Sequence, residues 1–278
     1  MAYTYEPGRM YRMPPHFGPA PGPRQNLESY TPDHSKYPKR HTAQVNYLTR
    51  KDQLEAIIPQ GFSVWGDPIV QIETTYMTQI EWLAGRGYAI SGLKAPLRYE
   101  GKKRTIHGLF QLVLWENLTD PILTGREDVG APKLYAEIPE PRVFQGRNHY
   151  ECSWLGNRFF EMHLEDLKEA PTKLPPLVID GVPSDGVIYY KYQPRTYVSG
   201  RPDVEYATLS PAVGSQASID QHFVGKGAAR FLSKTFEEVP TMYHIINKLA
   251  ALDLLEIRGA SLTLAHGGRD FADTQIVE

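Results

Sequence analysis

Lys133 is the residue whose surroundings point most directly to covalent chemistry. It lies near the end of Asp120-Pro121-Ile122-Leu123-Thr124-Gly125-Arg126-Glu127-Asp128-Val129-Gly130-Ala131-Pro132-Lys133-Leu134. This segment follows an apolar run ending near Trp115 and holds two glycines, an Arg-Glu pair and a proline directly before the lysine. Ala131, Pro132 and Leu134 give the amine apolar neighbours at a rigid turn. Burial of an amine favours its neutral form, and a neutral amine is what attacks a carbonyl carbon to form an imine. On local composition alone a second reading stays open, a lysine whose ammonium snorkels out of the turn into water.

The elements that must hold this segment read as mostly strands. Ile69 to Met77 is dominated by β-formers, so Ile69, Gln71, Glu73 and Thr75 share one face and Val70, Ile72, Thr74 and Tyr76 the other. Leu109 to Trp115 is a nearly continuous apolar run, as expected of a strand covered on both faces. Ile188 to Tyr192 and Leu255 to His266 are further strand candidates. Residues 49–58 predict a short helix, with Thr49 as its cap, Asp52 completing the capping box and Pro59 as its limit. Met242, Ile245, Ile246, Leu249 and Leu252 fit a helical stripe, or a shorter helix running into a strand.

The chain has 278 residues, of which 23 are glycine and 23 proline, many for a helical protein. These counts suit a β-rich fold with many turns. Thirty Lys and Arg nearly cancel 32 Asp and Glu, for a net charge of −2, so a sequence-wide basic field for nucleic acid is absent. No apolar run is long enough to span a membrane, and the first residues lack the apolar core of a signal peptide. The single cysteine, Cys152, excludes a disulfide scaffold and suits a reducing cytoplasm. Residues 1–35 form a Pro/Tyr-rich N-terminal arm, read either as an extended segment packed on the body or a neighbouring subunit, or as a disordered leader. Residues 36–278 are read as a single domain, with Pro171 to Pro183 a surface loop within it.

Other motifs carry little. Asn117-Leu118-Thr119 is a glycosylation sequon by pattern only. Gly225 to Arg230 lacks the third glycine of a dinucleotide fingerprint and the spacing of a P-loop. The histidines show no metal-ligand spacing. Cys152 has no nucleophile signature, so a buried inert thiol is the favoured reading.

Gly125-Arg126-Glu127 followed by Pro132-Lys133 resembles the signature of the acetoacetate decarboxylase superfamily, in which the lysine forms the imine. Tyr47 to Asp52 with its helix and Pro59, the strand Ile69 to Glu73, Arg40 placed before Tyr47, and Gly87 to Pro96 resemble further segments of that family. The resemblance runs from about Lys36 to about Gly268. It implies a β-rich α+β domain, a cone-shaped, partly open β-barrel with a few short helices. It implies Lys133 as the Schiff-base lysine, Glu73 as a pocket carboxylate for proton transfer and Arg40 as the cation orienting an anionic substrate or a pocket carboxylate. Gly125, Arg126, Glu127 and Pro132 would hold the lysine loop.

Three positions depart from the family pattern. Ile90 stands where the decarboxylases carry a second glutamate, Leu134 where a second lysine often follows, and Ala131 where a large aromatic often precedes the proline. Ile90 and Ala131, with Tyr88, would line the substrate pocket; Ile90 makes it more apolar, and Ala131 leaves room for a substrate larger than acetoacetate.

The resemblance implies a decarboxylase-type lyase acting on a β-keto acid or related carbonyl compound, with no metal or organic cofactor. It also implies a small-molecule keto acid as partner, a homo-oligomer, and neither nucleic acid nor membrane. Two alternatives remain: a pyruvate-type aldolase or aldolase-dehydratase on the same lysine, and a non-catalytic barrel that binds a small carbonyl or acid ligand.

Overall fold

A computed structural model describes residues 4–25, 31–213, 217–268 and 273–278. Residues 1–3 and 26–30 of the N-terminal arm therefore lie outside the described residues. Among the described residues, alternating and continuous apolar runs become sixteen strands. The first eight are β1 (Lys39–Leu48), β2 (Phe62–Val64), β3 (Ile69–Ile80), β4 (Arg86–Glu100), β5 (Thr105–Glu116), β6 (Lys133–Tyr135), β7 (Arg142–Phe144) and β8 (Arg147–Trp154). The rest are β9 (Asn157–Glu169), β10 (Val178–Ile179), β11 (Val182–Pro183), β12 (Gly186–Pro194), β13 (Pro202–Pro211), β14 (Ser218–Phe231), β15 (Glu256–His266) and β16 (Gln275–Val277). Three short α-helices punctuate them: α1 (Lys51–Glu55), α2 (Thr119–Thr124) and α3 (Tyr243–Ala250).

Fourteen strands form one sheet in the order β16-β13-β12-β5-β4-β3-β1-β15-β14-β9-β8-β7, with β2 and β6 joined to β4 and β5 off this path. The path does not close on itself, so the architecture is a large, partly open curved sheet. Most pairings are antiparallel. The exceptions fall on β5, which pairs in parallel with β12 through Gly108, Leu109 and Phe110 and with β6 through Leu114, Trp115 and Glu116. The β10–β11 ribbon forms a separate two-stranded sheet inside the proline-rich loop.

One face of the sheet buries the main core, including Val45, Ile72, Leu93, Val113, Trp115, Phe159, Phe160 and Leu164. Helix α3 and the turn before it cover part of this core with Met242, Ile246 and Leu249. The indole of Trp115 donates to Met242 Sδ at 3.4 Å. Because side chains alternate along a strand, Val113 and Trp115 point into the core while Leu114 and Glu116 point to the opposite face.

The predicted capping box does not form. Helix α1 begins at Lys51 after Arg50, with no side-chain cap. Thr49 is buried, and its backbone N–H donates to Pro68 O at 3.0 Å. The chain is still tied to the sheet at that point, and the helix is one turn long.

Candidate active site

Lys133 opens β6, and its parallel pairing places it opposite Leu114 of β5. Two residues further along β5, on the same face, is Glu116. Both side chains are almost wholly buried, 2% and 1% exposed, and Lys133 Nζ lies 2.8 Å from Glu116 Oε1. Lys133 Nζ also donates to Pro121 O in α2 at 3.0 Å.

The Gly-Arg-Glu segment forms a π-helical turn, Gly125–Val129, directly after α2. Its glycine is required by space. A Cβ on Gly125 would lie 2.5 to 2.7 Å from Lys133 Cε, Cδ and Nζ, so the lysine stem rests against the bare Cα. Arg126 donates to the Lys133 carbonyl at 2.8 Å, fixing the backbone at the lysine. Gly125 O accepts from the backbone N–H groups of Gly130 and Ala131, both at 3.0 Å. Gly130 has φ +81, and a Cβ there would lie 2.3 Å from Lys191 Cβ. Lys191 of β12 in turn donates to Glu127 O at 2.5 Å. These bonds fix the turn against which the Lys133 stem rests.

A small void of about 10 Å³ lies over the lysine, lined by Pro23, Arg24, Trp82, Tyr88, Pro121, Thr124, Gly125, Asp128, Val129 and Lys133. Part of its roof comes from the N-terminal arm. The arm is stapled to itself through the Gln25 side chain, which bonds Met10 N, Met10 O and Ala20 O. It is latched to the lysine loop by Arg12, whose guanidinium grips both carboxylate oxygens of Asp128 at 3.1 and 2.7 Å. The described part of the arm is therefore a packed strap.

Tyr88 separates this void from a much larger cavity of about 710 Å³, whose lining includes Arg40, His41, Tyr88, Asn117, Glu140 and Asp220. Tyr88 is common to both. Burial alone holds the His41 imidazole below its ordinary pKa. The large cavity is where the structure places Arg40. Its Nε is buried and has no hydrogen-bond partner among the described residues.

The sequence-predicted residues do not all converge. Glu73 is held at 2.6 Å by Lys94 and lines neither cavity. Ile90 packs against the buried cluster of Met77, Ile80 and Tyr88, and across the strands its register partner is Glu116. The position that departs from the family's glutamate thus sits directly beside a carboxylate on β5. Ala131 lies in a buried apolar cluster with Val129 and Tyr189, against which Val187 packs. Cys152 is fully buried, and burial pushes its thiol up to about 12. Asn117 Oδ1 accepts from Ala89 N at 2.7 Å, so this side chain is engaged within the fold.

Glu116, Arg24 and Trp82 were not legible as site residues. Glu116 left one signal, a lone acid directly after the nearly continuous apolar run that ends at Trp115. Among the described residues, no three His, Cys, Asp or Glu side chains are grouped to hold a metal, and no helix is long and apolar enough to cross a membrane.

Comparison with known proteins gives the family and the fold. The family model described as acetoacetate decarboxylase (ADC) matches residues 13–266. An acetoacetate decarboxylase from Legionella pneumophila superposes with a TM-score of 0.61 at 20% identity, covering 91% of each chain. The enduracididine biosynthesis enzyme MppR, complexed with the condensation product of pyruvate and imidazole 4-carboxaldehyde, superposes with a TM-score of 0.60 at 15% identity, covering 86% of this chain and 87% of that one. An acetoacetate decarboxylase-like enzyme from Sphingomonas wittichii RW1 gives 0.59 at 14% identity, covering 88% and 95%. No curated protein matches in sequence.

Proposed function

The chain belongs to the acetoacetate decarboxylase family, and on that premise we propose that it is a Schiff-base lyase acting on a keto acid through Lys133. The observation that carries this reading is a lysine 2% exposed, with a carboxylate 2.8 Å from its Nζ and a glycine cut away beside its stem.

Glu116 is placed to take a proton from the lysine, and the freed nitrogen lone pair then attacks the substrate carbonyl carbon. Loss of the carbonyl oxygen as water gives an iminium on Nζ. In a β-keto acid, the bond to the carboxylate carbon breaks, carbon dioxide leaves and the bonding pair moves into the iminium to give an enamine. A proton returned to carbon, followed by water at the imine carbon, releases the ketone and restores the amine. Glu116 supplies the acid/base partner that the sequence reading gave to Glu73, which is committed to Lys94. Arg40 faces the large cavity, where its charge draws anions toward Tyr88 and the lysine behind it.

A second reading keeps the same lysine. If the enamine forms by proton removal from a ketone such as pyruvate and attacks an aldehyde, the enzyme is an aldolase or aldolase-dehydratase. The condensation product held by MppR is the observation behind it; Lys133 and Glu116 serve both paths.

The test is reduction by borohydride in the presence of acetoacetate or pyruvate, followed by peptide mass mapping. An adduct on the Lys133 peptide, absent from Lys133→Ala, is the expected result. No adduct with either acid, with keto-acid binding unchanged in Lys133→Ala, would make the protein a binding module.

A further inference from the structure

Two N–H donors in the roof over Lys133 lack an acceptor. Arg24 Nε and Trp82 Nε1 are buried and make no hydrogen bond among the described residues, and both residues line the void at Lys133. Buried donors left unmet are costly, and native folds hold few of them. Two on residues that line one void point to a ligand that accepts hydrogen bonds.

The charges give its sign. Lys133 faces Glu116, and Arg12 faces Asp128. Among the described residues Arg24 has no acidic partner, and of these residues it is the cation on this wall left over. The matching ligand group is an anion. A carboxylate offers two acceptor oxygens, one for the guanidinium and one for the indole, and it is small and singly charged, as one cation in a tight void requires.

We propose that Arg24 and Trp82 form the subsite for the substrate carboxylate, beside the carbonyl that meets Lys133. The proposal deepens the keto-acid reading and rests on it for the carbonyl, while the anion site stands on its own donors. It also assigns the N-terminal strap a role in recognition. The void of about 10 Å³ has room for about one water-sized group, so a keto acid enters only when the roof lifts. Arg24 rides on that roof, so capture of the carboxylate and closure over Lys133 are one event.

The test separates carboxylate binding from imine formation. Lys133→Gln cannot form an imine yet retains an amide donor for Glu116. Calorimetry on this variant should detect pyruvate or acetoacetate binding, with the uncharged methyl esters weaker by about tenfold or more. Adding Arg24→Gln should weaken the acids by roughly 30-fold and leave the esters within about twofold. Trp82→Phe, which keeps the ring bulk, should weaken the acids by about fivefold.

Equal losses for acid and ester would show that Arg24 merely props the roof and would overturn the proposal. So would acid binding that ignores Arg24, no acid binding by Lys133→Gln, or inorganic phosphate binding more tightly than either acid. Borohydride trapping with native Lys133 is read alongside. Arg24-dependent acid binding without an adduct would sink the imine and leave the carboxylate subsite standing.

Discussion

Gly125→Ala isolates the space beside the lysine from every other property of its loop. The backbone at Gly125 is right-handed helical, φ −67 and ψ −37, a conformation alanine adopts readily. By helix propensity alone the change would gain up to about 1 kcal/mol. Against that, the new methyl carbon would sit 2.5 Å from Lys133 Cε, 2.6 Å from Cδ and 2.7 Å from Nζ. Carbon contacts settle near about 3.5–4.0 Å, so the lysine must retreat by about 1 Å. A retreat of that size stretches the 2.8 Å contact to Glu116 and the 3.0 Å bond to Pro121 O beyond useful length. Overpacking costs about 1–3 kcal/mol, and a weakened charge-assisted bond adds about 1.5–3 kcal/mol. The net expectation is about 2–4 kcal/mol of lost stability. At roughly 2–4 °C per kcal/mol for a chain of this size, Tm should fall by about 5–15 °C. The chemical effect should be larger, since a misplacement of about 1 Å can cost about 10²-fold in rate. Borohydride trapping of the pyruvate adduct measures the rate and a thermal melt the stability. A variant that melts within about 1 °C of the parent and traps pyruvate at the parental rate would refute the packing argument and the central place of Lys133.

Two further outcomes test the surroundings. Glu116→Leu alone should cost about 3–5 kcal/mol in urea denaturation, because it strands a buried amine, whereas Glu116→Leu with Lys133→Met should recover most of that loss; a single-variant cost below about 1 kcal/mol would contradict the buried pair. Cys152 gives a pH signature: its thiol ordinarily titrates near 9.0 and is pushed up to about 12 in the fold. Stability that it supplies below pH 9 is therefore lost as pH rises toward 12, because only the unfolded chain ionises in that window. The stability difference between the parent and Cys152→Ala should shrink by about 1.4 kcal/mol from pH 8 to pH 10; a difference independent of pH would refute the burial argument.

What the sequence made legible follows physical range. The strands at 69–77 and 109–115 announce themselves because side-chain alternation and continuous apolar runs are local signals. The lysine loop is legible as a motif because Gly125, Arg126, Pro132 and Lys133 act on one another within a few residues. Glu116 is hidden because it meets Lys133 only through the parallel β5–β6 pairing, and no periodicity specifies a parallel register. Arg24 is hidden in a proline-rich arm whose docking depends on Arg12 finding Asp128 far along the chain. Thr49 has the right type for a cap but is buried at the end of β1, where its backbone already serves the sheet. Ala131 shows the limit of reading size alone, since its neighbours Val129, Val187 and Tyr189 come from the turn and from a distant strand.

The strap and the lysine scaffold also differ in when they can form. Strands β3, β4 and β5 are consecutive antiparallel neighbours, and β6 returns to β5 after a short excursion through α2. Closing such neighbouring segments costs little chain entropy. The Arg12–Asp128 latch joins residues 116 positions apart, and it needs the π-helical turn in place before it has anything to grip. By this reasoning Lys133 is seated before its cover, and a refolding chain should pass through a stage in which its amine is open to small molecules nearby.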